Sequence, residues 1–285
     1  MGAEVCLSAL AITVVIATYN AARTLQRCLD SVTGQTYRNR EVVVIDGGST
    51  DGTVEILERN SNLLAYWESK PDKGVYDAWN KGVEHALSDW ICFLGADDFF
   101  WSVDVLERMV PHLEKAYPRS RVVYGKVAYV NRRGEFLDLI GEPWGKISRK
   151  FRQTMPLPHP GLMHHRSIFE RHGKFDVSFR IAGDYEFLLR ELTTSPATFV
   201  SDIIVVGMQM GGISTDPINV NLMLKETRSA AIRHGRKHVG FYWIVVVGKV
   251  KIRHFLWRLV GEGNARRLLD IGRVLLGKRP VWSRT

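Results

Sequence analysis

The stretch 43–53, VVIDGGSTDGT, runs from a continuous apolar segment directly into a turn rich in glycine and short polar side chains. Two further apolar runs, 12–17 (ITVVIA) and 91–94 (ICFL), have the same form, and each also ends in polar residues. Apolar residues that follow one another without alternation predict strands buried on both faces of a parallel sheet. Residues at helical spacing lie between the runs. The sequence therefore predicts an α/β fold in which helices cover that sheet.

The polar residues that follow these strands predict a binding site. They occupy positions 18–20, 46–51 and 97–98, each directly after an apolar run. The carboxyl ends of parallel strands meet at one edge of a sheet, and ligands of such sheets bind beyond that edge. We therefore expect the three polar clusters to lie close together.

The second half of the chain has a different pattern. Alternation of strands and helices loosens after about Ala116, and residues 122–140 predict a hairpin around the turn Asn131–Gly134. A proline-rich loop, a strand, a short helix, the segment 181–192 and a last strand at 199–208 follow. This pattern is typical of mixed or antiparallel pairing.

Composition excludes several classes of protein. With 285 residues, 45% of them hydrophobic and 24% charged, the chain is neither disordered, collagenous nor a small disulfide scaffold. It has no uncharged apolar run of about 18 residues, which argues against a transmembrane bundle. Its three cysteines, Cys6, Cys28 and Cys92, are too few and too scattered for a disulfide framework or a zinc site.

The positive charge is concentrated in the last fifth of the chain. From Lys225 to Thr285 there are 15 Lys and Arg against 3 Asp and Glu, whereas residues 1–224 have 24 against 27. Basic residues interleave with aromatic and aliphatic ones between 241 and 269, a pattern typical of a helix on an anionic membrane surface. A helical hairpin packed on the body is the alternative. We expect no nucleic-acid partner, because no nucleic-acid-binding motif accompanies the basic residues.

The N-terminus carries no recognisable address. The apolar stretch that begins at Val5 follows Glu4 rather than a basic region, which argues against a signal peptide. We therefore expect a cytoplasmic protein that its basic tail holds on the inner face of the cell membrane.

Two acidic segments have both a chemical and a structural interpretation. Asp97 and Asp98 have the oxygen ligands that Mg²⁺ or Mn²⁺ prefers, but they could equally begin the helix predicted from Ser102. Asp46 could contact a base or ribose, or it could belong to a tight turn capped by residues 49–51. Neither a GxGxxG sequence nor a phosphate-binding GxxxxGK motif is present.

Four motifs in order resemble family 2 glycosyltransferases with the GT-A fold. They are 12–20 (ITVVIATYN), 43–53 (VVIDGGSTDGT), 73–82 (KGVYDAWNKG) and 93–98 (FLGADD). Each motif is weak alone, but four in this order are specific. The resemblance extends from about Ile12 to Gly212 and is strongest to the branch that builds bacterial exopolysaccharide, O-antigen and lipid-linked glycans. It implies a nucleotide-diphospho-sugar transferase fold, and the basic amphipathic helical region expected from the composition of the tail lies C-terminal to it.

The resemblance implies a set of donor-binding residues. The positions that match nucleotide-sugar contacts are Thr18, Tyr19, Asn20, Asp46, Gly47, Asp72, Lys73, Asn80 and Asp97. Mg²⁺ or Mn²⁺ would bind Asp97 and Asp98, and His159 is a further candidate ligand unless it is a packing residue of its loop. The sequence departs from the family twice, since Gly95 replaces the first acid of the metal motif and Gly47 replaces a second Asp.

The segment 181–190, IAGDYEFLLR, resembles the family segment that carries the catalytic base. Asp184 matches the base and Glu186 is the nearby alternative. A carboxylate in this place could take a proton from an acceptor hydroxyl as the hydroxyl attacks. Without the resemblance, both acids could simply begin a helix, where negative charge is favourable.

These observations lead to one expected function with three competitors. We expect three regions: 1–118 as the nucleotide-sugar-binding half, 119–216 as the acceptor-binding half with the catalytic base, and 217–285 as the membrane-associating tail. The expected reaction is inverting transfer of a sugar from a nucleotide-diphosphate sugar, with UDP as the expected nucleotide, to a hydroxyl of a lipid-linked glycan or polysaccharide. The competitors are transfer to a polyprenyl phosphate, a nucleotidyltransferase, and a non-catalytic membrane-bound scaffold of the same fold.

Overall fold

The computed structural model of the protein describes residues 10–212 and 219–284. Cys6, the start of the stretch at Val5 and the expected boundary between 216 and 217 lie outside the described residues. Within the described residues, one mixed sheet of nine strands has a hydrophobic core on each face. This architecture confirms the predicted α/β class.

The strands form one continuous sheet. In chain order they are β1 (Ile12–Thr18), β2 (Arg40–Asp46), β3 (Tyr66–Ser69), β4 (Trp90–Gly95), β5 (Phe99–Phe100), β6 (Val122–Val130), β7 (Phe136–Ile140), β8 (Leu162–His165) and β9 (Thr198–Gln209). Their order across the sheet is β3-β2-β1-β4-β8-β6-β9-β5, and β7 pairs with β6. The first four strands are parallel to one another. β8 is antiparallel to both β4 and β6, so the sheet continues from region 1–118 into region 119–216.

The helices connect the strands and extend beyond the sheet. They are α1 (Leu25–Thr33), α2 (Thr53–Arg59), α3 (Val75–His85), α4 (Val105–Ala116), α5 (Trp144–Phe151), α6 (Ser167–His172), α7 (Gly183–Leu192), α8 (Val220–Arg233), α9 (Phe241–Val260) and α10 (Glu262–Leu275). The predicted hairpin is confirmed as β6 and β7, and β9 runs parallel to β6. The second half is therefore mixed, as the sequence indicates.

β1 separates the two cores because its side chains alternate between the faces of the sheet. Val15 packs with Trp79 and Val83 of α3, whereas Val14 belongs to the core on the α1 side. Gly82 permits the close packing of α3, since a Cβ there would lie 2.3 Å from Cγ1 of Val15. The core thus fixes α3 against the central strand.

The register of β1 brings the three polar clusters together. Thr18 lies opposite Asp46 on one side, and Ala17 lies opposite Gly95 on the other. The residues that follow β1, β2 and β4 therefore emerge at the same edge of the sheet. This confirms the expectation drawn from the sequence.

The C-terminal helices differ in how they pack. α8 contacts α7 and buries side chains such as Leu224 and Ala230, so it belongs to the body of the protein. α9 has no buried side chain at all, and α10 buries only Ala265 and Asp270. Among residues 10–212 and 219–284, none of the helices combines the length and apolar character that crossing a bilayer requires.

Candidate active site

The turn after β2 is held by Asp46. This side chain is fully buried, and its carboxylate accepts hydrogen bonds from the backbone N–H of Gly48 and Ser49 at 3.1 and 2.8 Å. The hydroxyls of Ser49 and Ser69 donate to the same carboxylate. Both oxygens of Asp46 therefore have protein partners within the loop, which is the tight-turn interpretation of this segment.

A slot lies beside this turn, between Tyr19 and Asp72 at Gly47, and its side chains are more accessible to a ligand than Asp46 is. The Tyr19 ring is 65% exposed, and Asp72 lies next to it across Gly47. A Cβ at position 47 would lie 2.9 Å from Oδ2 of Asp72 and 3.3 Å from Cδ2 of Tyr19. Oδ1 of Asp72 accepts the Gly74 N–H at 2.8 Å, and burial raises the pKa of Asp72. The glycine at 47, a departure from the family pattern, thus makes room for the Asp72 carboxylate.

We expect Gly47→Ala to weaken nucleotide binding without unfolding the protein. The added methyl group would push Asp72 and Tyr19 apart, because contacts of 2.9 Å are closer than carbon atoms tolerate. Displacing one polar contact and one ring costs about 1–3 kcal/mol, or roughly 5- to 150-fold in affinity. Calorimetric titration with UDP measures the loss, and Gly145→Ala, which meets nothing within 4 Å, is the control. Unchanged affinity would contradict the role of the slot.

Three other predicted donor-binding residues have different surroundings. Asn20 bridges two loops, since its backbone N–H donates to Ser49 Oγ at 2.7 Å and its Oδ1 accepts the Thr50 N–H at 2.9 Å. Oγ1 of Thr18 is buried without a hydrogen-bond partner among the described residues. Lys73 is exposed before α3.

Asn80 is a buried structural residue in this arrangement. Its Nδ2 donates to the Phe175 carbonyl oxygen, and its Oδ1 accepts the Phe175 N–H, both at 2.9 Å. The amide is satisfied by that backbone pairing, so Asn80 fixes the segment at 175 against α3. Of the donor-binding candidates outside the metal motif, Tyr19 and Lys73 are exposed and Asp72 is half-buried, so these three keep ring surface or polar groups for a ligand.

The two acids after β4, Asp97 and Asp98, differ in burial and in their hydrogen bonds. Asp98 is buried, and its two oxygens accept the N–H of Gln209 at 3.1 Å and of Gly95 at 3.3 Å. Asp97 is less buried, and its Oδ1 lies 2.9 Å from where a Cβ of residue 95 would be. Burial raises the pKa of both acids, and the Asp97 charge raises that of Asp98 further. α4 begins only at Val105, so neither acid lies in its first turn.

Adjacent carboxylates suit a divalent cation that also binds a substrate phosphate, and Asp97 is the more accessible of the two, because both oxygens of Asp98 already accept backbone N–H groups. Mg²⁺ typically uses one or two carboxylates together with phosphate oxygens, and it relieves repulsion between adjacent acids. Within the described residues, no three His, Cys, Asp or Glu side chains form a group that could hold a metal. A metal here would therefore depend on oxygens of the donor to complete its shell.

His159 lies in the aromatic core. Its ring stacks on Trp79 with centroids 4.5 Å apart and lies 5.0 Å from the ring of His164. Burial lowers the pKa of His159 well below its ordinary value, and neither ring nitrogen has a partner among the described residues. The packing interpretation therefore describes this residue better than the ligand interpretation.

Asp184 lies at the start of α7, where it meets α3. Its Oδ1 accepts the Tyr185 N–H at 2.8 Å and lies 3.2 Å from the hydroxyl of Tyr76. Burial raises the pKa of Asp184 to about 6, and the hydrogen bond from the Tyr185 N–H opposes this effect. Tyr76 lies in the first turn of α3, four residues after Asp72, so the N-terminus of α3 lies between the slot and Asp184. A carboxyl group with a pKa near neutrality is suited to accept a proton.

Glu186 is committed to an ion pair. Arg190 forms a salt bridge with it, and Nε2 of His234 lies 3.0 Å from its Oε1. Burial opposes ionisation, but the hydrogen bonds from His234 and Arg190 lower the pKa of Glu186 overall. Of the two acids, Asp184 therefore has the surroundings of a base.

Sequence reasoning did not find three residues that shape this site. Arg27 of α1 donates to the Asp97 carbonyl oxygen at 2.8 Å and lies 4.6 Å from the Phe99 ring centroid. Tyr76 contacts Asp184, and Glu226 of α8 binds the backbone before it. Tyr76 lies inside the motif 73–82, so its place in the site could have been predicted from the sequence. Arg27 and Glu226 belong to no motif and resemble ordinary surface positions of amphipathic helices.

Comparison with known proteins finds a matching family model and related sequences. Residues 13–173 match the family model described as Glycosyl transferase family 2. A PGL/p-HBAD biosynthesis glycosyltransferase of Mycobacterium bovis is 31% identical over 211 residues, which cover 70% of this chain and 78% of that protein.

Two solved structures share the fold. S. aureus TarS 1–349 in complex with UDP-GlcNAc has a TM-score of 0.61 at 17% identity, covering 86% of this chain and 73% of that one. The mannosyltransferase PcManGT from Pyrobaculum calidifontis, in complex with GDP-Man and Mn²⁺, has a TM-score of 0.60 at 22% identity, covering 94% and 81%. The chain spans 49% of a longer S. aureus TarS chain.

Proposed function

The chain belongs to glycosyltransferase family 2, with the GT-A fold, and from that premise we propose that it moves a sugar from UDP to a lipid-linked hydroxyl acceptor. The single observation that carries the proposal is the geometry of one sheet edge. It combines an exposed ring, a free carboxylate oxygen, a pair of acids and a carboxyl group with a pKa of about 6.

The slot at Tyr19 supports a uracil base. Oδ1 of Asp72 already accepts the Gly74 N–H, which leaves Oδ2 as the acceptor for a ligand. Uracil offers one ring N–H, whereas guanine offers two donors on one edge and would use both oxygens of a carboxylate. The TarS neighbour is in complex with UDP-GlcNAc and the mannosyltransferase with GDP-Man, so both bases occur on this fold. The geometry favours UDP.

The Asp97 and Asp98 carboxylates would hold Mg²⁺ or Mn²⁺, which when bound offsets the charge on the leaving diphosphate. Arg27 holds the backbone of Asp97 from α1, and the Gln209 N–H orients Asp98 from β9. The chain thus fixes both acids from two further elements. Such fixed geometry keeps the donor in place for attack.

Asp184 would act on the acceptor. An acceptor hydroxyl is a weak nucleophile, and the Asp184 carboxylate would take its proton as the oxygen attacks the anomeric carbon. One displacement on the side opposite the leaving diphosphate inverts that carbon. The proton passes from the hydroxyl to Asp184, and the bond to the diphosphate oxygen breaks.

The acceptor would be presented at a membrane. α9 exposes Ile244, Ile252, Phe255 and Leu259, each 59–66% accessible. At 100° per residue these four side chains form one stripe along the helix. A peripheral position on the inner face of the cell membrane would place the site beside a lipid-linked glycan.

A thermal-shift series with nucleoside diphosphates and UDP-sugars, with and without Mn²⁺, tests the donor proposal. A ligand that binds only the folded state raises the free energy of unfolding, by about 2.7 kcal/mol at a ligand concentration of 100 times its Kd. The melting temperature rises with it. We expect UDP with Mn²⁺ to give the largest shift. Release of UDP in a following assay supports transfer, whereas release of pyrophosphate would identify a nucleotidyltransferase. No response to any nucleotide would favour the scaffold.

A further inference from the structure

The segment directly before the catalytic helix is bound by a carboxylate from α8. Oε1 of Glu226 accepts the Arg180 N–H at 2.9 Å, and Oε2 accepts the N–H groups of Ile181 and Ala182 at 2.8 and 3.0 Å. Glu226 is 9% exposed. Hydrogen bonds to a charged acceptor are about twice as strong as neutral ones. Glu226 therefore holds three consecutive residues in one conformation.

A second residue holds the same segment from the opposite element. The hydroxyl of Tyr76 on α3 donates to the Ile181 carbonyl oxygen at 2.6 Å. Ile181 thus has its N–H bound to α8 and its carbonyl bound to α3. The residues from 180 to 182 lie between two helices, and Asp184 follows after one glycine.

α8 also binds α7 further along. His234, which follows the end of α8, lies 3.0 Å from Glu186 in the first turn of α7. α8 therefore contacts the catalytic helix through two polar links as well as through packing. The family match ends at residue 173, so Glu226, His234 and the segment 180–182 all lie outside the matched region.

We infer that Glu226 is a positioning residue that fixes Asp184 for proton transfer, so that the helix preceding α9 sets the geometry of the catalytic base. This inference rests on the proposed role of Asp184. Glu226 itself binds backbone and touches no reacting atom. A displacement of about 1 Å at a reacting group can lower a rate by about 100-fold.

The chain offers a matched control. Asp270 on α10 is 6% exposed and likewise accepts three backbone N–H groups, from Val281, Trp282 and Ser283 at 2.7–2.9 Å. Asp270→Ala removes the same kind of cap as Glu226→Ala, but from the C-terminal segment rather than from the segment before Asp184. Comparison of the two variants separates positioning from a general loss of stability.

Hydrogen exchange and kinetics on the full chain test the inference. We expect Glu226→Ala to speed amide exchange at 180–182 and to lower kcat by about 10- to 100-fold, while the affinity for UDP and the KM for the donor stay unchanged. Glu226→Gln keeps one oxygen acceptor and should lose less of both. This milder variant also serves if the alanine variant does not fold. Asp270→Ala should leave exchange at 180–182 and kcat unchanged.

Three results would overturn the inference. Unchanged exchange at 180–182 would show that Glu226 does not hold the segment. Faster exchange with an unchanged kcat would show that holding the segment does not position the base. An equal loss of kcat in Asp270→Ala would show a general effect. Absence of glycosyl transfer by the unaltered protein would contradict the proposed function instead. The hydrogen-exchange measurement would still decide whether Glu226 holds the segment 180–182.

Discussion

Asp184→Asn is expected to lower glycosyl transfer by about 10²- to 10⁴-fold while leaving UDP binding unchanged. The asparagine keeps the shape of the side chain, so it can still accept the Tyr185 N–H, but it cannot take a proton from the acceptor. The measurement is single-turnover transfer at saturating donor, with calorimetric titration of UDP alongside.

Glu186→Gln is the informative comparison on the same helix. Because Glu186 is paired with Arg190 and His234, its substitution should affect stability more than the chemical step. A larger rate loss in Glu186→Gln than in Asp184→Asn would reverse the assignment of the base. An unchanged rate in Asp184→Asn would favour a polyprenyl phosphate acceptor, whose oxygen is already ionised and needs no base.

The pKa of about 6 gives the unaltered protein a characteristic pH profile. Asp184 must be ionised to act as base, so kcat/KM should fall about tenfold per pH unit below pH 6. The same shift affects stability in the opposite direction. The folded-state pKa is higher than the unfolded value of about 3.9. The free energy of unfolding should therefore fall as the pH rises from about 4 to about 6, because the folded state holds the Asp184 proton that the unfolded state has lost, and it should stay lower above pH 6. Asp184→Asn should therefore raise the melting temperature at pH 7–8, and this gain should disappear near pH 4.

The meeting of the three polar clusters was predictable from the sequence, because it follows from strand order and register. Apolar runs without alternation identified β1, β2 and β4, and their polar ends could meet only at one edge of a parallel sheet. The side chains at that edge were harder to assign. Asn80 carries atoms suited to a ligand, but it is bound by the Phe175 backbone, which a linear pattern does not bring beside it. Asp46 is bound by the backbone of Gly48 and Ser49, as the tight-turn alternative expects.

Contacts between distant segments explain the other differences. His159 has the chemistry of a metal ligand, and only the packing of Trp79 against it shows that it belongs to the core. Glu226 occupies a basic region and matches no motif, yet it contacts the segment before Asp184. The division of the C-terminal region between a packed α8 and an exposed α9 depends on α7, which covers one helix and leaves the other open.

The apolar stripe of α9 is bordered by cations, so the proposed membrane attachment should be sensitive to charge. Lys251 and Arg258 lie on one side of the stripe and Lys249 on the other, and all three are exposed. Each basic residue near an anionic surface contributes about 1 kcal/mol. Substituting all three by Gln should therefore weaken binding to vesicles containing phosphatidylserine by on the order of 100-fold.

Vesicle co-sedimentation at low and high salt measures this effect. A control variant carries Gln at Arg38, Arg59 and Lys115, which are exposed and lie outside α9. These three substitutions lower the net charge by the same amount as the three in α9. It should bind as the unaltered protein does, because a charge beyond about 10 Å from the surface is screened at 0.1 M salt. Equal losses in the two variants would show attraction by net charge alone, and no loss in either would remove the basic border of α9 from the mechanism. A loss confined to the α9 variant would support contact between α9 and the membrane surface. The proposed catalytic base would then lie close to the membrane-binding helix along the chain, because α8, which precedes α9, binds the segment before Asp184 through Glu226.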